Sequence, residues 1–112
     1  MKIAIPIAEG KLCQHFGHCQ QFALVTVNDQ NQITETKLVD PPAHEPGVLP
    51  KWLAANQTNL VLASGMGHRA QNLFREAGIK VLVGVQGNLT PEEVVKAYLN
   101  NDLATGDNAC SH

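Results

Sequence analysis

Seven consecutive residues, Cys13-Gln14-His15-Phe16-Gly17-His18-Cys19, hold two of the three cysteines and two of the five histidines of the chain. Thiolate and imidazole are soft or borderline donors. They suit Cu(I), zinc and iron–sulfur chemistry rather than magnesium or calcium. Gly17 permits a backbone turn that other residues take only at a cost, so the flanking donors can face one another. The plain alternative is a loop carrying two thiols and two solvated imidazoles. Cys13 and Cys19 are too far apart for a Cys-x-x-Cys redox motif, although flanking histidines can lower a thiol pKa. Three chemistries therefore stand side by side: carriage of a metal cluster, a mononuclear zinc or Cu(I) site of two Cys and two His, and a thiol redox protein.

The elements that must position these donors follow from hydrophobic pattern. Residues 2–7 are apolar and branched and read as a first strand buried on both faces. Residues 8–20 read as a loop that carries the Cys/His cluster. Residues 21–27 form a second strand, and the polar turn Asn28-Asp29-Gln30-Asn31 makes a hairpin with 33–39, whose weaker alternation suits an edge strand. A proline-interrupted loop, 40–47, leads to a short helix from Val48 to about residue 57. Residues 59–63 are a compact strand, Ser64-Gly65-Met66-Gly67 a glycine-rich turn, and 68–77 a helix stopped by Gly78. A strand at 79–83 and a loop at 84–88 precede a third helix, which Thr90, Pro91 and Glu93 open as cap, first helical residue and capping-box partner. Val94, Val95, Tyr98 and Leu99 give it an apolar face. The order β-β-β-α-β-α-β-α predicts an α/β layer fold with a mixed five-stranded sheet and three helices. The second strand is antiparallel to its neighbours and the two crossover units are parallel and right-handed. Residues 1–100 make one domain, and 101–112 a flexible tail.

This topology gives the donors a common address. The loops 8–20, 40–47, 64–68 and 84–89 all fall at the C-terminal edge of the sheet, where open α/β sheets bind ligands. Cys13, His15, His18 and Cys19 lie in the first of these loops, His44 in the second and His68 in the third. Gly65, Met66 and Gly67, just ahead of a helix, can receive an anion on backbone N–H groups. The plain reading of that turn is a tight strand-to-helix connection, and of Met66 core packing. The turn lacks the Lys-Ser/Thr of a P-loop and the third glycine of a dinucleotide fingerprint. The tail ends Cys110-Ser111-His112. Some ten residues after the last helix span roughly 30 Å when extended, so Cys110 and His112 can reach the same edge or remain a solvated tail.

Composition limits what else the chain can be. With 112 residues and 44% hydrophobic content it buries a core without staples. A net charge of -2, scattered basic residues and an aromatic content of 4% leave no footprint for nucleic acid. The apolar N-terminal run is too short for a signal peptide, and no run approaches a membrane span. The expected location is cytoplasmic, where three cysteines stay reduced and serve metals or redox chemistry more often than bridges.

The chain resembles the dinitrogenase iron–molybdenum cofactor biosynthesis family. The residues that carry the resemblance are Met1-Lys2-Ile3-Ala4-Ile5-Pro6; His15-Phe16-Gly17-His18-Cys19 followed by Phe22; His44-Glu45-Pro46-Gly47 leading into Leu49-Pro50-Lys51-Trp52-Leu53; Ser64-Gly65-Met66-Gly67 with Arg69-Ala70; and Ala77-Gly78-Ile79-Lys80-Val81. The Cys110-Ser111-His112 ending is similar to the Cys-x-His tails of some members. The resemblance implies a ribonuclease H-like fold and a protein that handles a cofactor without catalysing a reaction. It implies an iron–sulfur cluster or a heterometal cluster of the Mo/Fe or Mo/Cu kind, and as partner a Mrp-like P-loop ATPase or another cluster-assembly protein. Cys13, His15, His18, Cys19, His44, Cys110 and His112 are the expected metal ligands, and Gly65, Met66, Gly67 and His68 the expected contacts to the cofactor. Nuclease chemistry is disfavoured whatever the fold, since two-metal phosphoryl transfer needs clustered carboxylates and the first strand supplies none.

Overall fold

A computed structural model describes residues 1–14, 19–42, 47–87, 89–103 and 105–106. The elements are β1 (Lys2–Ala8), β2 (Lys11–Leu12), β3 (Gln21–Val27), β4 (Ile33–Val39), α1 (Val48–Ala55), β5 (Leu60–Leu62), α2 (His68–Glu76), β6 (Lys80–Leu82) and α3 (Pro91–Leu99). The sheet runs β4-β3-β1-β5-β6, with β2 paired to β1. The β1·β3 and β3·β4 pairs are antiparallel, and β1·β5 and β5·β6 are parallel. The hairpin and the parallel crossovers therefore lie where hydrophobic pattern puts them.

The sheet has six strands rather than five, because part of the expected loop after β1 is a strand. Glu9 and Gly10 take φ of 55° and 81°. Positive φ at both central residues is the signature of the two-residue turn whose twist matches a hairpin. Ile7 thus pairs with Leu12 and Ala8 with Lys11. Glu9 is not a residue that announces such a turn, and a two-residue strand has no period to read.

Alternation along the central strands sorts the core into two layers. Ile3, Ile5 and Ile7 of β1 join Ala23, Val25 and Val27 of β3 and Leu60 and Leu62 of β5 on one face, under Val94 and Val95 of α3. Ala4, Phe22, Leu24 and Val61 point the other way, to Leu49 and Leu53 of α1 and Phe74 of α2. There Phe22 meets Trp52 edge to face, with ring centroids 5.6 Å apart. This double burial is why residues 2–7 read as a continuous apolar run. β4, at the sheet margin, alternates weakly because neither face is fully covered.

Helix ends are set locally. α2 closes in a Schellman motif: Gly78, at φ 80°, donates its N–H to Arg75, and Ile79 donates to Phe74 at 3.0 Å. Phe74 and Ile79 are buried in the same cluster, the apolar contact that accompanies this motif. At α3 the capping box is complete: the Glu93 N–H donates to the Thr90 hydroxyl at 3.3 Å, and the Thr90 N–H to the Glu93 carboxylate at 2.9 Å. Among the described residues no helix is long and apolar enough to cross a membrane.

Candidate metal edge

β1, β4, β5 and β6 all end at one edge of the sheet, and the donor-rich loops begin there. The Cys13 N–H donates to the Pro6 carbonyl at 2.9 Å, and the Gln20 N–H to the next carbonyl, Ile7, at 2.8 Å. Successive carbonyls of a strand point to opposite flanks within the sheet. Cys13 and Cys19 therefore bracket the end of β1, one on the β5 side and one on the β3 side. Cys13 is 5% exposed, while Cys19 is half-buried against the α1/α2 layer. Neither cysteine is in a disulfide.

The two thiols sense each other. The Cys19 thiol is pushed up to about 11 from an ordinary 9.0, first by burial and second by the charge that Cys13 would carry, against a smaller opposing pull from its own backbone N–H. Two thiolates side by side, partly desolvated, repel and are costly. A metal cation reverses that cost, since a coordinating thiol gives up its proton outright.

The glycine-rich turn sits one strand further along this edge. Gly67 is the N-cap of α2, with φ -64° and ψ 156° and no side-chain hydrogen bond to the helix. No acidic residue occupies the first turn. A Cβ added at Gly67 would meet nothing within 4 Å. Neither packing nor backbone strain demands glycine here; its effect is to leave the first amides of α2 without a side-chain cap. α1 is likewise capped by a glycine, Gly47, with no side-chain bond and no acidic first turn. α3 is closed by Thr90 and Glu93. First-turn amides without a side-chain cap and the positive helix end favour an anion.

The remaining candidates divide plainly. Gly65 is buried and Met66 is 0% exposed in the α1/α2 layer, so the Met66 thioether serves packing. The Met66 carbonyl accepts from the Gln71 side chain at 2.8 Å, which pins the turn to α2. His68 is the first residue of α2 and is exposed. His15, His18, His44, Cys110 and His112 lie outside the described residues. Among the described residues no three His, Cys, Asp or Glu side chains form a metal-holding group; what the structure brings together is the Cys13/Cys19 pair beside an open helix end. A groove of 410 Å³ lined by Gln71, Arg75, Gly78, Ile79, Lys80 and Val81 lies between α2 and β6. It shares no residue with the thiol edge and holds no acid–base pair.

One feature escaped sequence reasoning. The loop after β6 is also a crossing point for the chain after α3. Val85 is fully buried and bridges to Thr105, and Gly84 and Gly106 lie against each other. Two glycines more than twenty positions apart carry no local pattern that could have announced the contact.

Fold and edge together define a small α/β protein that presents paired thiols and uncapped helix amides at the C-terminal edge of a mixed sheet. The chain belongs to the dinitrogenase iron-molybdenum cofactor family, whose model matches residues 1–101, and membership ties it to a cofactor-related role. It is 30% identical over 109 residues to an uncharacterized protein of Methanocaldococcus jannaschii, covering 92% of this chain and 89% of that one. The crystal structure of PH0822 superposes with a TM-score of 0.86 at 28% identity, covering 97% of each chain. The apo form of the orange protein of Desulfovibrio gigas shares the fold, with a TM-score of 0.71 at 23% identity over 96% of this chain and 93% of that one.

Proposed function

We propose that this protein binds a preassembled metal cluster at the C-terminal edge of its sheet and hands it on, without catalysing a reaction. The observation that carries the reading is the thiol pair: Cys13 and Cys19 bracket the end of β1, and the Cys19 proton is held to about 11. Cys19 is thereby a poor nucleophile as a free thiol, and the pair suits a metal clamp. The raised pKa also weighs against Cys19 as the reactive thiol of a redox protein, which needs a lowered pKa. The uncapped start of α2 supports an anionic cargo rather than a bare cation. His15, His18 and His44 would complete the ligand set, with His68 at the rim.

The cargo is an iron–sulfur cluster or a heterometal cluster of the Mo/Fe or Mo/Cu kind. Family membership supports this, as does likeness to an orange protein whose structure is described as an apo form. The strand order β4-β3-β1-β5-β6 fits the ribonuclease H-like arrangement that the resemblance implies. Delivery calls for a recipient, and a Mrp-like P-loop ATPase or another cluster-assembly protein is the partner class proposed. Elemental analysis of protein purified from its host without air tests the cargo. Iron with sulfide, alone or with molybdenum or copper, is expected. One zinc or one copper with no sulfide would replace the cluster with a mononuclear site.

A further inference from the structure

The sheet has two margins, and they are finished differently. β6, at one margin, is three residues long, and a short edge strand is a poor template for another chain. β4, at the other, runs for seven residues from Ile33 to Val39 and contains no proline. Thr34, Glu35, Lys37 and Leu38 are all exposed on it. Leu38, at 52% exposure, is one of two large apolar side chains left exposed among the described residues.

Which backbone groups β4 leaves free follows from its neighbours. Val27 of β3 exchanges two bonds with Met1, each 2.8 Å: its N–H donates to the Met1 carbonyl, and its carbonyl accepts from the Met1 amino group. By alternation Val25 also turns toward β1, while Leu24 and Thr26 turn toward β4. Lys37 and Glu35 stand opposite Leu24 and Thr26, so their backbone groups are taken up within the sheet. Thr36 and Leu38 direct their N–H and C=O to the open side. The same register sorts the side chains. Glu35 and Lys37 share the α1/α2 face with Leu24, and Thr36 and Leu38 share the α3 face with Val25 and Ala23.

These positions form a palindrome about Thr36. When a second β4 runs antiparallel with Thr36 opposite Thr36, Glu35 of each copy faces Lys37 of the other, and Leu38 faces Thr34. Thr36 then exchanges both N–H···O bonds with its own copy. The Glu35–Lys37 pairs fall at the intervening positions, where facing side chains come closest. Opposite charges across a strand pair stabilise it, and like charges destabilise it. Moving the axis to Glu35 or to Lys37 sets that charge against itself, so one register is selected over its neighbours.

We propose that β4 pairs with β4 of a second copy of this chain, about a two-fold axis at Thr36, and joins the two sheets into one. The contact is isologous and closes on itself. A single strand pair is a small interface, so the dimer forms and dissociates with protein concentration. Because the joined strands run antiparallel, the C-terminal edges of the two sheets lie at opposite ends. Each Cys13/Cys19 pair stays open, and the dimer is independent of the cluster-binding reading.

Sedimentation velocity on reduced, metal-free, full-length protein, from micromolar to millimolar concentration, tests the pairing. Wild type is expected to pass from monomer to dimer. Glu35→Lys and Lys37→Glu each set like charges across the axis, so the dissociation constant of either variant alone should rise roughly tenfold. An equimolar mixture of the two variants regains opposite charges at both pairs and should dimerise as wild type does. Thr36→Pro removes an outward N–H at an edge position that tolerates proline, so that variant should remain folded by circular dichroism and monomeric. A wild type that is monomeric throughout overturns the proposal. Dimers untouched by either charge reversal, a mixture no tighter than its components, or a folded Thr36→Pro protein that still dimerises would each place the contact elsewhere than β4 in this register.

Discussion

Cys19 is kept protonated by the same surroundings that would suit it to a metal. Burial and mutual repulsion set Cys19 near 11, so at neutral pH its thiolate fraction is about a hundredfold below that of a thiol at 9.0. Alkylation of Cys19 in the metal-free protein, mapped by mass spectrometry, should be slow at pH 7 and should rise with an inflection near 11. Rapid labelling at neutral pH would return the redox reading to the front. The same shift has a consequence for stability. A thiol whose folded pKa is raised contributes stability that is fully present below pH 9, where both states hold the proton. The contribution is lost as pH rises from about 9 to about 11, because the unfolded chain deprotonates first. Denaturant midpoints of the metal-free protein should therefore decline across that window, and Cys19→Ser should flatten the decline. Loading with metal reverses the logic: thiol protons are released, so affinity rises with pH through the neutral range.

At the scale of elements, three helices begin at the C-terminal edge of the sheet, and α3 is capped where α1 and α2 are not, a difference that is testable. α3 is sealed by its capping box, so Thr90→Ala should cost about 1 kcal/mol in urea unfolding and leave metal binding alone. Glu93 is held below the usual carboxylate range by its bonds from the Thr90 backbone and hydroxyl. Its contribution is present at neutral pH and is lost as pH falls through the carboxylate range. α2 is the opposite case. Gly67→Asp adds a side chain where there is space and can cap the helix, so the metal-free protein should gain a few tenths of a kcal/mol. The added carboxylate would occupy the amides meant for an anionic cargo, so cluster loading should fall. Stability and loading moving in opposite directions is the signature of a binding turn. If loading were unaffected, Ser64-Gly65-Met66-Gly67 would be only a connection. Sequence made the long elements legible because both faces of β1 and β3 are buried and because the caps at Gly78 and Thr90 are local. It hid β2, whose turn places Glu9 at positive φ, since nothing in Glu9-Gly10 specifies pairing over two residues. Met66 shows the limit at a site: a thioether donor and a core methionine are the same letter, and its complete burial could not be read from the sequence.

Across the described residues, the arrangement brings Cys13 and Cys19 to one edge of the sheet and builds two apolar layers on its faces. Sequence placed Cys13 and Cys19 in the segment after β1 and could not say that they bracket its end, because that depends on pairing between Pro6, Ile7 and residues downstream. It left the direction of the tail open for the same reason: the contact of Gly84 with Gly106 is long-range and has no period. Carriage of a cluster through Cys13 and Cys19 is the central claim. It is tested most directly by anaerobic reconstitution with iron and sulfide, comparing wild type with the Cys13→Ser/Cys19→Ser double variant by bound iron and by sulfur-to-iron charge-transfer absorption. Stoichiometric iron and a visible band in wild type, both lost in a double variant that remains folded by circular dichroism, is the predicted result. Equal iron and an equal band in the two proteins would contradict the account.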